Sequence, residues 1–169
     1  MKRNGIFLFV TGILLLIFSA CESVDQQRIP NLPVNISLAD AGIWNSYGVS
    51  GYGMSRNFIL NPSGISSPIG FSYSATSATG FGGVLLISGL DLIPLAYDLA
   101  CPVERNPKIL VAVDPETYFA VCKECGSVYD VTLAYGAPVA GPAASGKYKY
   151  ELKAYHCIPS GYGGYYIQN

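Results

Sequence analysis

The chain carries cysteines at spacings that suit metal binding. Cys122 and Cys125 stand in a Cys-x-x-Cys-Gly sequence, the form of a zinc knuckle, and Cys101 precedes them. Zinc in structural sites takes four ligands, which are thiolates or imidazoles. Cys101 together with either His156 or Cys157 could complete such a set. Because no second Cys-x-x-Cys follows, a zinc site is the weaker of the interpretations that these cysteines allow.

Two loops around these cysteines resemble those of the Rieske iron–sulfur family. The first reads CPV at residues 101–103, and the second reads CKECGSVYD at residues 122–130. The family's loops read Cys-x-His and Cys-x-x-His-Gly-Ser-x-Phe/Tyr-Asp. They lead into a Gly-Pro-Ala turn, which this chain has at residues 141–143. The resemblance implies an all-β fold, a Rieske-like β-sandwich with a smaller inserted subdomain that carries both loops.

The resemblance assigns roles to individual positions, and two of these positions are substituted. A Rieske centre is a [2Fe-2S] cluster bound by two cysteines on one iron and two histidines on the other. Cys101 and Cys122 match the cysteine positions, whereas Val103 and Cys125 occupy the histidine positions. A valine side chain cannot bind a metal. The resemblance therefore implies the scaffold but excludes the standard cluster, and we expect no cofactor.

Other positions of the second loop keep the residue types of the family. Ser127 matches a serine that donates to cluster sulfur, and Tyr129 matches an aromatic residue that shields or tunes the cluster. One alternative is therefore a non-standard [2Fe-2S] centre held by the cysteines of both loops, with Glu104, Cys157 or water as a fourth ligand. The candidate cofactor-binding residues are Cys101, Cys122, Cys125, Ser127 and Tyr129.

The cysteines could also be bonded to one another. If the fold brings Cys101 and Cys122 together, they can form a disulfide where the iron would have been, and Cys125 could then pair with Cys157. Closing a loop of about twenty residues would stabilise the fold by about 3 kcal/mol. Four cysteines allow three pairings, so the sequence leaves the connectivity open.

The N-terminus has the features of a bacterial lipoprotein leader. Lys2 and Arg3 precede an apolar stretch at residues 6–18, and the sequence Phe-Ser-Ala-Cys ends at Cys21. This stretch is shorter than the roughly 20 residues that span a bilayer. The resemblance to lipoproteins implies cleavage directly before Cys21 and lipid attachment to it, which would anchor the protein to a membrane. Glu22, where an aspartate would favour the inner membrane, indicates the outer membrane.

Composition indicates a β-rich domain without a strong electrostatic partner. The 169 residues include 19 Gly, 11 Pro and 13 Tyr, which favours short strands over helices. Charged residues make up only 12% and the formal net charge is -1, which argues against nucleic-acid binding. The chain shows neither paired carboxylates nor a motif that joins a nucleophile to a base, so nothing indicates an enzyme.

We expect three parts along the chain. Residues 1–20 form the signal peptide, and residues 21–33 are polar, contain two prolines and suit a tether. Residues 34–169 form the Rieske-like β domain, whose inserted subdomain covers about residues 100–142. Both cysteine loops therefore belong to the subdomain.

Individual segments predict strands with different clarity. Residues 34–38 alternate between apolar and polar side chains, and residues 83–88 form an apolar run typical of a strand buried on both faces. Alternation is strictest at residues 147–154, which predicts a strand with His156 in phase with its apolar face. The Gly/Tyr-rich tail at residues 160–166 is expected to be mobile, with packing of its tyrosines on the domain or a partner as the alternative.

These observations favour a binding or structural role. We expect a cell-envelope lipoprotein, attached to the membrane through Cys21, that keeps the Rieske-type scaffold, lacks the standard cluster and binds an envelope protein partner. The rival hypothesis is an electron-transfer protein with a non-standard iron–sulfur centre. A zinc-binding protein is the weaker alternative.

Overall fold

The structure, a computed structural model, describes residues 23–24, 28–62, 64–133 and 135–169. The predicted signal peptide and the predicted lipidation site Cys21 lie outside these residues. Within the described ranges, no helix is long and apolar enough to cross a membrane.

Short strands dominate the described chain, so the all-β prediction is confirmed. Apart from one helix, the regular elements in these residues are strands of two to seven residues. The strands are β1 Ser23–Val24, β2 Val34–Asp40, β3 Ser55–Phe58, β4 Ala78–Thr79, β5 Val84–Ser88, β6 Pro94–Asp98, β7 Val111–Val113, β8 Phe119–Cys122, β9 Val128–Asp130, β10 Ala137–Ala140, β11 Tyr148–Lys149, β12 Ala154–Pro159 and β13 Gly163–Gln168, and the helix α1 is Ala41–Tyr47.

Seven strands form one antiparallel sheet that nearly closes on itself. Their order is β3-β5-β6-β12-β13-β2-β4. The two edges of the sheet come close together, because the backbone N–H of Leu60, after β3, donates to Thr79 Oγ1 of β4 at 3.4 Å. This sheet forms the base of the domain.

A second, smaller sheet is inserted in the chain between β6 and β12. It consists of β10-β9-β8-β7 in that order, and all neighbouring strands are antiparallel. An isolated bridge between Ala100 and Leu110 lies at its beginning, directly after β6. The four strands fall within residues 100–142, and the two turns that carry the cysteines lie next to this sheet.

The strands β5 and β6 separate two apolar cores. Val84 and Leu86 face the base core, which lies inside the seven-stranded sheet. Leu85 and Ile87 point the opposite way, into the insert core, where residues of the smaller sheet and both cysteine loops pack. Every residue of β5 is buried, so the predicted strand with two buried faces is confirmed.

The prediction of one continuous strand over residues 147–154 is wrong, although residues 148–149 and 154 belong to strands. Between β11 and β12, residues 150–153 are not part of a strand. The backbone N–H of Tyr150 donates to Ala143 O at 3.1 Å, and that of Leu152 donates to Gly136 O at 3.0 Å. These two N–H groups bond to turns of the insert. Only the end of the segment reaches the base sheet, where Lys153 O accepts from the N–H of Asp98 of β6 at 2.8 Å.

The prediction of a mobile tail is wrong, and its alternative, packing of the tail's tyrosines on the domain, is confirmed by Tyr165 against Trp44. The prediction of a histidine on the apolar face is also wrong. The tail forms β13, which lies between β12 and β2 and pairs Ile167 with Ile36 in the base core. On β12, Tyr155 faces the base core, and His156 is exposed because consecutive strand residues point to opposite faces.

The helix α1 follows β2 directly and begins at a conventional cap. Asp40 Oδ1 accepts hydrogen bonds from the backbone N–H of Gly42 at 2.8 Å and of Ile43 at 3.3 Å. Trp44 packs against Tyr165 of β13, with the ring centroids 4.7 Å apart. The helix therefore covers the part of the base sheet formed by β2 and β13.

Candidate functional site

Asp98 fixes the start of the first cysteine loop. Its carboxylate, at the end of β6, is fully buried and accepts hydrogen bonds from the backbone N–H groups of Ala100 at 2.7 Å, Gly82 at 3.0 Å and Phe81 at 2.9 Å. Tyr155 donates its hydroxyl to the same carboxylate at 2.6 Å. Burial raises the pKa of Tyr155, and the neighbouring negative charge of Asp98 raises it further. Four donors offset the cost of burying this charge, so the backbone before the first cysteine is held rigidly.

Cys101 lies in a turn that its own backbone closes. Its N–H donates to Ile109 O at 3.0 Å, and its carbonyl oxygen accepts from the N–H of Arg105 at 2.9 Å. The residue is fully buried, and its side chain belongs to the insert core. The first loop therefore presents its thiol to the interior.

The second loop is a tight turn between β8 and β9. The N–H of Cys122 donates to Ser127 O at 2.9 Å, and the carbonyl oxygen of Cys122 accepts from the N–H of Gly126 at 2.9 Å. These two bonds bring together both ends of the Cys-x-x-Cys sequence, so that the sulfurs of Cys122 and Cys125 lie within 4.8 Å of each other.

The Gly-Pro-Ala turn packs directly on the second loop. Gly141 has φ +76°, and a Cβ atom there would lie 2.5 Å from Gly126 O and 2.7 Å from Ser127 Cα. Only glycine fits this close approach without displacing backbone. The N–H of Ala143 donates to Ser127 Oγ at 3.0 Å. The turn that carries part of the family resemblance therefore supports the predicted site residue Ser127.

The two loops bring three thiols together. The sulfurs of Cys101, Cys122 and Cys125, which we call the thiol cluster, all lie within 4.8 Å of one another. Cys101 Sγ and Cys125 Sγ are 3.6 Å apart. Cys101 and Cys122 are fully buried, whereas Cys125 is partly exposed. The three cysteines that the sequence singles out thus converge on one point.

Two hydroxyl groups contact the thiol cluster, and they belong to the other two predicted site residues. Cys125 Sγ donates to Ser127 Oγ at 3.2 Å, and Tyr129 Oη lies 3.5 Å from Cys101 Sγ. Both residues are fully buried. If the sulfurs carry negative charge, both hydroxyls are in place to donate hydrogen bonds to them.

The environments of the thiols differ in their effect on the pKa. Burial raises the pKa of Cys101 to about 12, although hydrogen bonds to Tyr129 and to the loop backbone oppose this effect. Burial also acts to raise the pKa of Cys125, but hydrogen bonds with Ser127 and with the other two cysteines outweigh it and lower the pKa overall. Burial raises the pKa of Tyr129, and its contact with Cys101 raises it further. The partly exposed thiol is thus the one whose ionisation the site favours.

The predicted disulfides are absent, because all four cysteines in the described residues are free thiols. A bridge from Cys125 to Cys157 does not fit the fold, since Cys157 lies on β12 and packs against the base core. Burial raises the pKa of Cys157 to about 12. The cysteines of the two loops come together as predicted, but as thiols.

The fourth ligands suggested by the sequence do not join the thiol cluster. Among the described histidine, cysteine and acidic residues, the group that could hold a metal consists of the three thiols alone. His156 is exposed on β12, Cys157 packs against the base core, and Glu104 is not in the group. A four-ligand zinc site of the predicted composition is therefore not assembled.

The residues present do not fit a standard Rieske cluster. Such a cluster needs two imidazoles on its second iron. Val103 packs against the insert core, and Cys125 offers a thiol. The donor set is thus three sulfurs without an imidazole, and residue 103 offers no ligand atom.

Some residues of the site carry no sequence signal that would have identified them. Arg28 lies in the segment predicted to be a tether, yet its Nε donates to Pro102 O at 2.8 Å and its guanidinium carbon lies 3.9 Å from the ring centroid of Tyr150. Asp98 and Tyr155 are far apart in the sequence and meet only through the sheet. An isolated Arg, Asp or Tyr without a motif gives no indication of such a contact.

No family model, no curated protein and no solved structure matches this chain.

Proposed function

We propose that the chain is a cell-envelope lipoprotein whose Rieske-like domain has lost the standard [2Fe-2S] cluster and acts as a binding module. The observation that supports this proposal is the convergence of both cysteine loops and the Gly-Pro-Ala turn at one thiol cluster without a histidine. The scaffold residues Ser127 and Tyr129 keep contacts to the sulfurs, while Val103 replaces a ligand.

The lipid anchor is part of the same proposal. The leader sequence supports cleavage before Cys21 and attachment to the outer membrane. The N-terminal segment from Arg28 onward then leads from the anchor into the domain, and Ile29 is buried in it. Because Arg28 also bonds to the first cysteine loop, only residues 22–27 would lie between the lipidated Cys21 and a contact of the site.

An electron-transfer protein with a non-standard iron–sulfur centre is the second candidate. It is favoured by one observation, the three free thiols within 4.8 Å of one another. Clusters with cysteine in place of histidine have lower potentials, so such a centre would differ from a Rieske centre in its redox role. The centre would need a further ligand, such as water. Zinc is the weaker candidate because structural zinc almost always has four protein ligands, and the thiol cluster supplies three.

The visible absorption of freshly purified protein distinguishes these functions. Loss of the cluster predicts a colourless protein without stoichiometric iron or acid-labile sulfide. A brown protein that contains both would overturn the proposal and establish the electron-transfer alternative. For the anchor, incorporation of radiolabelled palmitate into the wild-type protein and its loss in Cys21→Ala are expected, and equal labelling of both proteins would refute lipidation at Cys21.

A further inference from the structure

We propose that the thiol cluster binds one Cu(I) ion in a trigonal site formed by Cys101, Cys122 and Cys125. This inference rests on the proposed function in that it requires the absence of an iron–sulfur cluster, and it names the ligand of the binding module. It arises from the number, spacing and surroundings of the sulfurs.

The spacing of the sulfurs matches a single central ion. With metal–sulfur bonds of about 2.3 Å, as in zinc thiolates, three sulfurs around one ion in a plane lie about 4 Å apart. Cys101 Sγ and Cys125 Sγ are 3.6 Å apart, and all three sulfurs lie within 4.8 Å. Small rotations of the side chains would therefore place an ion at the centre without a change in the backbone.

The number of ligands favours Cu(I) over zinc. Sites of soft sulfur ligands select Cu(I), zinc or iron–sulfur clusters. Structural zinc is almost always bound by four ligands, and the group of donor residues in the described chain contains three. Cys101 and Cys122 belong to the apolar insert core, against which Val103 and Ile109 also pack. A trigonal Cu(I) site needs only the three sulfurs.

The surroundings can stabilise the negative charge of bound thiolates. Up to three thiol protons leave when the ion binds, and copper remains Cu(I), so no oxidant or reductant is required. The hydroxyls of Ser127 and Tyr129 already contact the sulfurs of Cys125 and Cys101 and can donate to them. The guanidinium of Arg28 donates hydrogen bonds to carbonyl oxygens of the first loop and so places a positive charge near the cluster.

The ion has a route to the buried sulfurs through Cys125. This residue is the partly exposed member of the thiol cluster, whereas Cys101 and Cys122 are fully buried. The neighbouring Lys123 and Glu124 are exposed, so the second loop borders solvent. A donor could therefore pass the ion first to Cys125 and then to the two inner sulfurs.

The test is an anaerobic titration of the reduced, purified protein with Cu(I) in competition with a Cu(I) chelator of known affinity. One equivalent is expected to bind, with three sulfur neighbours by X-ray absorption. Cys125→Ser is expected to lower the affinity by more than about 100-fold, beyond the usual cost of losing an outer-shell partner. Cys157→Ser, the matched control outside the thiol cluster, is expected to bind as the wild type does.

The outcomes separate this inference from the proposed function. Three outcomes with a colourless protein overturn the copper site alone. They are no binding of Cu(I), equal affinity of the wild type and Cys125→Ser for Cu(I), and fewer than three sulfur neighbours around the bound ion. Preferential binding of zinc over Cu(I) also overturns it. A protein purified with iron and labile sulfide overturns the proposed function. Because the sulfur count is measured on the wild type, the test remains decisive even if Cys125→Ser does not fold.

Discussion

Tyr155 donates a 2.6 Å hydrogen bond to the buried carboxylate of Asp98, and this bond connects β12 to the start of the first cysteine loop. The same carboxylate accepts the N–H of Ala100, directly before Cys101. The position of the first thiol thus depends on a contact made in the base sheet. The site is supported by the whole domain and not by the insert alone.

Replacement of Tyr155 by phenylalanine is expected to destabilise the fold. It removes one of the four donors to Asp98 and leaves part of a buried carboxylate without a partner. Hydrogen bonds to charged groups contribute about 1.5–3 kcal/mol, so the free energy of unfolding should fall by about that amount. Urea denaturation measures it. Tyr148→Phe, at an exposed position, is the control and should change the value by less than about 0.5 kcal/mol. Equal effects in both variants would contradict the assigned role of the bond.

Replacement of Gly141 by alanine is expected to displace the second cysteine loop. The new Cβ would meet Gly126 O and Ser127 Cα, and alanine is disfavoured at φ +76° by about 1–2 kcal/mol even without a clash. We therefore expect a loss of more than about 1 kcal/mol in the free energy of unfolding. Gly161→Ala serves as the control, since its Cβ would have no neighbour within 4 Å. A Gly141→Ala protein as stable as this control would show that the close approach is not required.

The sequence predicted those parts of the fold whose signals are local. The alternation at residues 34–38 and the apolar run at residues 83–88 correspond to β2 and β5. Each pattern reflects burial of that strand on one or two faces. The convergence of the cysteine loops was also predicted. It followed from a resemblance of turn sequences. In such turns a glycine, like the one at position 141, indicates a backbone conformation with positive φ.

The predictions failed where the structure depends on distant partners. Tyr150 and Leu152 follow a strand pattern, but their N–H groups bond to loops of the insert. The glycine-rich tail looked mobile, yet Gly164 lies so close to Leu38 that a Cβ atom would be 1.9 Å from its carbonyl oxygen. Glycine is needed there for close strand packing, and its frequency alone does not reveal this. The predicted disulfides failed because the turns place three thiols together instead of two pairs.

The stability of the protein is expected to fall at alkaline pH. Burial raises the pKa of Cys101 and of Cys157 from 9.0 to about 12. The unfolded chain therefore loses these protons first, and between about pH 9 and pH 12 the folded state binds more protons than the unfolded state. The contribution of both thiols is fully present below about pH 9 and decreases as the pH rises. Urea midpoints across this range measure the slope. Cys157→Ser should make the slope shallower, and an unchanged slope would argue against a buried neutral thiol at this position.

In the metal-free, reduced protein, Cys125 is expected to react first with iodoacetamide near neutral pH. The thiolate is the reactive form. Although burial acts to raise the pKa of Cys125, hydrogen bonds with Ser127 and with the other two cysteines lower it overall. Cys157 should react slowly, since burial raises its pKa to about 12. Mass spectrometry of the alkylated peptides over time gives both rates. Ser127→Ala removes the main hydrogen bond, so it should raise the pKa of Cys125 and slow its alkylation. Faster reaction of Cys157 would contradict the predicted order of reactivity. An unchanged rate of Cys125 in Ser127→Ala would show that the hydrogen bond with Ser127 does not control this thiol.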